Sequence, residues 1–357
     1  MLIHATVSCP VHPSFRVSQI AGMFDLALAE TSQETFSVEV PSPDEDWQIG
    51  LIVGPSGSGK STIARQAFGS DVHQAGEWDA ARAVIDGFGE LPVKHVTQTL
   101  TAVGFSSPPA WVKPYAVLSN GEKFRCDLAR ALLAGRELVV FDEFTSVVDR
   151  TVARVGSAAV ARAIRSGKIA RKFVAVSCHY DIAQWLEPDW VVDMASRELA
   201  RGRLRRPQIQ IELFRCRGAA WRLFARHHYL NGSLHPAAQC YLATWEGQPA
   251  AFCAVLPLTG RVGRDRVSRI VVLPDYQGLG IGGRVLDAVA SLRRAMGRRV
   301  NLTTSHPSMI ASLGRSLNWK CVGFRKTGFQ RRRDCRKRGA GSDGLSAGRA
   351  VASFEYR

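Results

Sequence analysis

Apolar residues fall into short runs and faces, and their period changes along the chain. Thr35-Phe36-Ser37-Val38-Glu39-Val40 alternates at every second residue and predicts a strand, whereas the rest of residues 1–50 shows no clear period. Leu51-Ile52-Val53 is wholly apolar and stops at Gly54, the pattern of a strand buried on both faces. Residues 125–133 predict a helix, and 137–141 and 172–177 two more buried strands. Strands alternating with helices predict an α/β domain with a parallel sheet.

Beyond the basic, turn-rich stretch 197–207 the pattern changes. Residues 209–214 alternate as a strand, and 219–229 suit a helix with Trp221, Leu223, Phe224 and His228 near one face. Residues 239–245 and 249–256 predict a hairpin around Glu246-Gly247-Gln248. A strand at 267–273, a helix at 280–296, a strand at 300–304 and a helix at 308–317 follow. Residues 331–357 open with Arg331-Arg332-Arg333-Asp334-Cys335-Arg336-Lys337-Arg338 and turn to Gly, Ser and Ala, which reads as a disordered basic tail. The expected organisation is an α/β domain at 1–196, a linker at 197–207, an α+β domain at 208–330 and a tail at 331–357.

Composition agrees with two globular domains: 357 residues, 46% hydrophobic and 22% charged, exclude a mainly disordered or fibrous chain. No apolar run of about 18 residues predicts a membrane span. His4, Cys9, Pro10, His12 and Pro13 interrupt the place where a secretion signal needs an apolar core. The eight cysteines form no CxxC pair, so a reduced, cytoplasmic chain is expected. Charge is split: residues 1–196 carry 17 basic and 22 acidic residues, and 197–357 carry 30 and 9. Only Lys320, Lys326 and Lys337 of those 30 are lysines. Arginine's planar fork grips phosphate with two bonds, so DNA or RNA is an expected partner of the second half, against the alternative of a merely solvated, Arg-rich surface.

Gly54-Pro55-Ser56-Gly57-Ser58-Gly59-Lys60-Ser61, with Thr62 after it, fits GxxxxGK[ST] between a strand and a helix. Backbone N–H groups in such a loop wrap phosphates, Lys60 reaches the outer ones, and the Ser61 hydroxyl ligates Mg²⁺. Further on, Val139-Val140-Phe141-Asp142-Glu143 ends a strand in two carboxylates. Asp142 is placed to hold Mg²⁺ and Glu143 to polarise the attacking water.

Between them lies Leu118-Ser119-Asn120-Gly121-Glu122, a variant of LSGGQ, leading into Ala129-Arg130-Ala131-Leu132. With these motifs in this order, residues 35–195 resemble the ATP-binding cassette (ABC) ATPases. The resemblance implies that Ser119, Asn120 and Gly121 form the signature, and that Ser146-Val147-Val148-Asp149 is the D-loop. It also implies that His179 is the switch histidine, and it makes Gln98 a candidate for the Q-loop glutamine beside Mg²⁺. It implies ATP held between the P-loop of one subunit and the signature of another, hence a head-to-tail homodimer that closes as a clamp. Transporter cassettes carry a larger helical subdomain between P-loop and signature, so the 58 residues from Lys60 to Leu118 weaken a transporter reading.

In the second half, Gln277-Gly278-Leu279-Gly280-Ile281-Gly282-Gly283 lies between the strand ending in Val271 and Val272 and an amphipathic helix. A Rossmann turn is one reading, but no acidic residue ends the next strand for ribose recognition. Residues 208–328 instead resemble the GNAT acyltransferases, whose pyrophosphate loop reads Q/R-x-x-G-x-G/A. That implies acyl-CoA bound at Val271, Val272 and 277–283. His306, at the end of Thr304-Ser305-His306, is either the base or a helix cap; Tyr276 is either an acid or a packing residue. Arg226-His227-His228-Tyr229 is expected near the acceptor. No carboxylate lies on 267–273, where many members place the base. The expectation is an ATPase fused to an N-acyltransferase that modifies a DNA or tRNA base. The rivals are a protein or small-molecule N-acyltransferase with a regulatory ATPase, a DNA-binding ATPase without transferase activity, and a transporter subunit.

Overall fold

A computed structural model describes residues 1–26, 31–74, 76–228, 233–258, 260–326 and 350–357. The chain forms two compact units, one of residues 1–77 and 127–207, the other of 78–126 and 208–357. The sequence order placed 78–126 in the first domain; these residues pack instead with the C-terminal half.

The first unit is built on a five-stranded sheet in the order Leu138–Phe141, Lys172–Ser177, Ile49–Val53, Trp190–Asp193, Glu198–Arg201. The first four strands are parallel and the last antiparallel. Every residue of Ile49–Val53 is buried, as an apolar run in a central strand requires. Gly50 sits there because a Cβ would lie 2.0 Å from the Trp190 ring. An antiparallel strand pair, Leu2–Pro10 with Thr31–Glu39, separated in the chain by helix Phe15–Phe24, contributes Ala5, Phe36 and Val38 to the same core as Ile52, Ile63 and Phe68.

The second unit is a seven-stranded sheet: Trp319–Lys326, Ala350–Tyr356, Arg299–Thr304, Arg264–Val272, Gln248–Pro257, Gln239–Trp245, Glu212–Cys216. All neighbours are antiparallel except Arg264–Val272 with Arg299–Thr304. Helix Ile281–Ala295 packs Val285, Leu286 and Val289 onto it. Two expectations are corrected. Residues 219–229 were expected to be one helix, but Gly218–Leu223 and Ala225–His227 are separate 3₁₀ segments. Trp221 and Phe224, three apart, share a side at the 3₁₀ period and both are buried. The tail was expected to be disordered through 357, but Ala350–Tyr356 is an inner strand whose Val351, Ala352 and Phe354 are buried. Residues 331–349 of that tail, like Tyr229, lie outside the described residues.

Candidate functional site

In the first unit, Gly57 (φ 79°) and Gly59 (φ 81°) turn the loop after Ile49–Val53 through left-handed backbone that favours glycine. Gly59 caps helix Lys60–Phe68 without any side-chain bond, so among the described residues no cap side chain occupies the first N–H groups, which point to where an anion can bind. Lys60 Nζ donates to the Pro55 carbonyl at 2.6 Å, so the amine is folded over the loop. The Ser61 hydroxyl donates to Asp142 Oδ1 at 3.0 Å, and the Glu143 N–H donates to the same oxygen at 2.9 Å. Ser58 Oγ is buried with no partner among the described residues, and a side chain at Gly57 would meet nothing within 4 Å. A loop with an orphan hydroxyl, open space and a hydroxyl–carboxylate pair fits a Mg²⁺-bound polyphosphate. Ser56 and Thr62 flank this cradle in the positions the motif expects.

Glu143 follows Asp142 at φ 52°, and Thr145 stands at φ 69°. Two non-glycine residues in left-handed backbone cost on the order of 1–3 kcal/mol each and are held there by the buried Phe144 between them. Thr145 Oγ1 lies 3.2 Å from His179 Nδ1 and 3.5 Å from Ser177 Oγ, so one buried threonine ties the Glu143 turn to the expected switch histidine. Burial, and then Arg150, hold the His179 pKa below its ordinary value against Asp181. Asp149 accepts from the N–H groups of Thr151 and Val152 and caps helix Arg150–Arg165.

Sequence reasoning missed Thr145 and another residue. Val72 bridges Val140 in parallel, and the His73 N–H donates to the Val140 carbonyl at 2.7 Å. Gln74 therefore leaves the sheet beside the strand that carries Asp142. Gln98, the expected Q-loop residue, sits within helix Val93–Ala102 of the other unit. The run Asp71-Val72-His73-Gln74 was too short to read as a strand.

In the second unit Ser119 and Glu122 form a capping box on helix Asn120–Leu133. Glu122 Oε2 accepts from Ser119 N–H at 3.0 Å and from its hydroxyl at 3.2 Å, and Ser119 Oγ accepts from Glu122 N–H at 3.3 Å. Gly121 keeps its carbonyl in contact with Arg125 Nη1 at 3.2 Å.

The parallel ladder between Arg264–Val272 and Arg299–Thr304 stops at Val267–Leu302, although both strands continue. Residues 268–272, including Val271 and Val272, thus have one edge left open by that ladder. The glycine loop follows: Gly278 (φ 93°) and Gly280 (φ 80°) are left-handed, and Gly280 caps helix Ile281–Ala295 with no side-chain bond. A Cβ on Gly282 would stand 3.1 Å from Val272 Cγ2, while one on Gly283 would meet nothing within 4 Å. Leu279 and Ile281 point into the core. Gln277 Nε2 donates to the Val272 carbonyl at 2.9 Å and its Oε1 accepts from the Ser106 N–H at 2.6 Å. The open strand edge and free N–H groups fit an extended thioester arm ending in a diphosphate.

His306 occupies the cap position of helix Pro307–Gly314, yet its ring makes no cap bond. Burial holds its pKa below the ordinary value, opposed by a hydrogen bond to the backbone of Ser106. Tyr276 packs edge-on against Trp245, ring centroids 5.8 Å apart. His227 Nε2 accepts from Arg226 Nε at 3.0 Å, and among the described residues no cluster of His, Cys, Asp or Glu could hold a metal. Burial pushes the Cys216 thiol up to about 11 and Cys253 up to about 12, so neither is a nucleophile at neutral pH. Asp265, fully buried, is bound by Arg293 Nη2 at 2.7 Å and Arg298 Nη2 at 2.6 Å; burial raises its pKa, but those two hydrogen bonds bring the balance below the ordinary value. It is a structural anchor.

The cytochrome c biogenesis ATP-binding export protein CcmA of Rhodospirillum rubrum is 30% identical over 168 residues, covering 37% of this chain and 68% of that protein. The chain belongs to the ATP-binding cassette ATPases. The zinc import ATP-binding protein ZnuC of a Ruegeria species is 32% identical over 139 residues, 33% of the cassette chain and 54% of its own length. Residues 236–331 of the cassette chain match the acetyltransferase (GNAT) domain family. The ribosomal-protein-S18-alanine N-acetyltransferase of Escherichia coli has 16% identity and a TM-score of 0.32, covering 41% of this chain and 92% of that one. By the family match at residues 236–331 the cassette ATPase carries a GNAT domain, and ATP hydrolysis and N-acyl transfer are the activities these families bring. Among the described residues no helix is long and apolar enough to cross a membrane.

Proposed function

We propose that the protein is an ATP-gated N-acyltransferase that moves an acyl group from acyl-CoA to an amine of a nucleic-acid base, working as a homodimer with two shared ATP sites. The reading rests on one observation: two glycine loops of the same construction, one completed by Lys60, Ser61 and Asp142, the other by an open strand edge. ATP is bound by the loop 54–61 and Thr62, and by Ser119, Asn120 and Gly121 of a second copy. Ser61 and Asp142 hold Mg²⁺, which when bound neutralises phosphate charge. Glu143 takes the proton of the attacking water, and His179, oriented by Thr145, sits at the terminal phosphate. Gln74 takes the Q-loop role in place of Gln98. Asp149 serves the D-loop by fixing the start of helix Arg150–Arg165.

In the transferase half, residues 277–283 bind the CoA diphosphate and 268–272 the pantetheine arm. The acceptor nitrogen attacks the thioester carbonyl; a C–N bond forms, the C–S bond breaks, the nitrogen gives up its proton and the thiolate takes one. His306 is the residue we assign to proton transfer, and Tyr276 is assigned to packing. The excess of 30 basic over 9 acidic residues past 196 supports a polyanionic acceptor. A protein or small-molecule acceptor is the second reading. It is favoured by the internal use of arginines: Arg293 and Arg298 on Asp265, and Arg264 and Arg299 on Glu355.

Binding of duplex DNA and tRNA across a salt series decides between them. The first reading expects affinity to fall steeply with salt, and mass spectrometry of the bound nucleic acid to find an added acyl mass that needs intact Lys60 and Gly280. Absent or salt-independent binding transfers the case to the second reading.

A further inference from the structure

Residues 101–106 belong to neither reaction as described, yet they touch parts of both. Ser106 N–H donates to Gln277 Oε1 at 2.6 Å, the Ser106 backbone bonds the His306 ring, and Ser308 Oγ donates to Thr101 Oγ1 at 3.2 Å. Gly104 is buried at φ 91°, and a Cβ there would stand 2.7 Å from the Gln277 carbonyl oxygen. On its other side the same Cβ position is 3.5 Å from Arg125 Nε. Arg125 is fully buried, and its Nη1 donates to the carbonyl of Gly121, the signature glycine. Leu100, Val103 and Phe105 are also fully buried, so the segment is pinned in the core.

We propose that Arg125 and Gly104–Ser106 form a coupling strut through which nucleotide at the signature and acyl-CoA at the Gln277 loop change each other's affinity. It rests on the acyltransferase reading and adds a regulation to it. Both ends of the Gln277 amide are used, one on the Val272 carbonyl at the open strand edge and one on Ser106, so the entry to the CoA loop follows the position of Ser106. Gly121 and Arg125 are one turn apart on a continuous helix, so phosphates engaging the signature bear on Gly104 through a rigid element. A shift of the helix start on nucleotide binding is passed by the rigid strut to Gln277 and the CoA loop, so each ligand tightens the other by the same factor. Arg125, Gly104 and Ser106 are positioning residues; none touches a reacting atom.

The test is calorimetric titration of acetyl-CoA into the full chain with and without a Mg²⁺-bound non-hydrolysable ATP analogue, and the reverse titration. It is run on wild type, Gly104→Ala and the milder Thr101→Val. Wild type is expected to show both affinities rising by one common factor of about five or more. Gly104→Ala should bring that factor to one while acetyl-CoA still binds without nucleotide, and Thr101→Val should reduce it. A purely structural role would weaken acetyl-CoA equally in both conditions and leave the factor unchanged. A wild-type factor of one with both ligands bound, or an undiminished factor in both variants, overturns the strut. Failure of acetyl-CoA to bind under any condition while the nucleotide binds removes the acyltransferase reading itself, and the coupling with it.

Discussion

The loop 54–61 and the loop 277–283 use one backbone device on different folds. Gly57-Ser58-Gly59 and Gly278-Leu279-Gly280 both alternate left-handed glycines, and the capping glycines have almost the same dihedrals, φ 81° and ψ 11° against φ 80° and ψ 13°. Each opens a helix whose first N–H groups have no cap side chain on them among the described residues. The difference is the next residue. Lys60, Ser61 and the facing Asp142 add charge and a metal pair, whereas Ile281 turns into the core and adds none. In the proposed reading the glycine frame supplies a generic anion seat, and the residue after it decides between a triphosphate with metal and a diphosphate without one.

The largest break in this comparison is Lys60→Ala. ATP turnover should fall by about 10²–10³-fold or more, with acetyl-CoA affinity in the absence of nucleotide unchanged, measured by phosphate release and calorimetry. A comparable loss of acetyl-CoA binding would mean that the two seats are not separate.

The seats also differ in what holds their helices. Helix Ile281–Ala295 is anchored near its far end by Arg293 on buried Asp265, which starts the strand leading back into the loop. Asp265→Ala leaves two arginines without their carboxylate, so a loss of about 3–5 kcal/mol is expected in denaturant unfolding. A change below about 1 kcal/mol would remove Asp265 as the anchor.

Smaller effects are expected at the signature and from pH. Glu122 places a carboxylate at the helix start where the second copy's phosphate is proposed to arrive. Glu122→Gln should tighten nucleotide-dependent dimerisation about 2–5-fold in analytical ultracentrifugation, and weakening would show that the capping box matters more than the charge. His73, His179, His227 and His306 all have pKa values held below 6.5, in each case chiefly by burial. The unfolded chain takes up protons before the folded one as pH falls through 6.5, so the stability these histidines contribute is present above that value and is lost progressively from about pH 6.5 toward 5. A melting temperature flat across that range would contradict the half-buried, neutral histidines.

Where the chemistry needs glycine, lysine or a strand-end acid in fixed order, the sequence was readable. The loop 54–61, the strand that ends at Phe141 just before Asp142, and the helix after Gly280 all stand where their patterns put them. Features set by partners far along the chain were not readable. Ile3-His4-Ala5-Thr6-Val7-Ser8-Cys9 does alternate, but only Ala5 of Leu2–Pro10 is buried, and the pairing partner, Thr31–Glu39, lies about twenty residues further on. Ala350–Tyr356 alternates well, but it follows an Arg-rich run and finds its neighbours at 299–304 and 319–326. Gln74 and Thr145 owe their positions to one parallel bridge and one strained turn, neither of which has a periodic signal.

The central claim is that a second, uncharged seat exists for the CoA diphosphate. Titrating acetyl-CoA and Mg²⁺-ATP separately into wild type and Gly280→Asp tests it most directly, because the substitution adds a side chain at φ 80° and a negative charge to the seat itself. The expected result is acetyl-CoA binding in wild type, none in the variant, and equal ATP binding in both. Equal acetyl-CoA binding by the two proteins, or none by either, would contradict it.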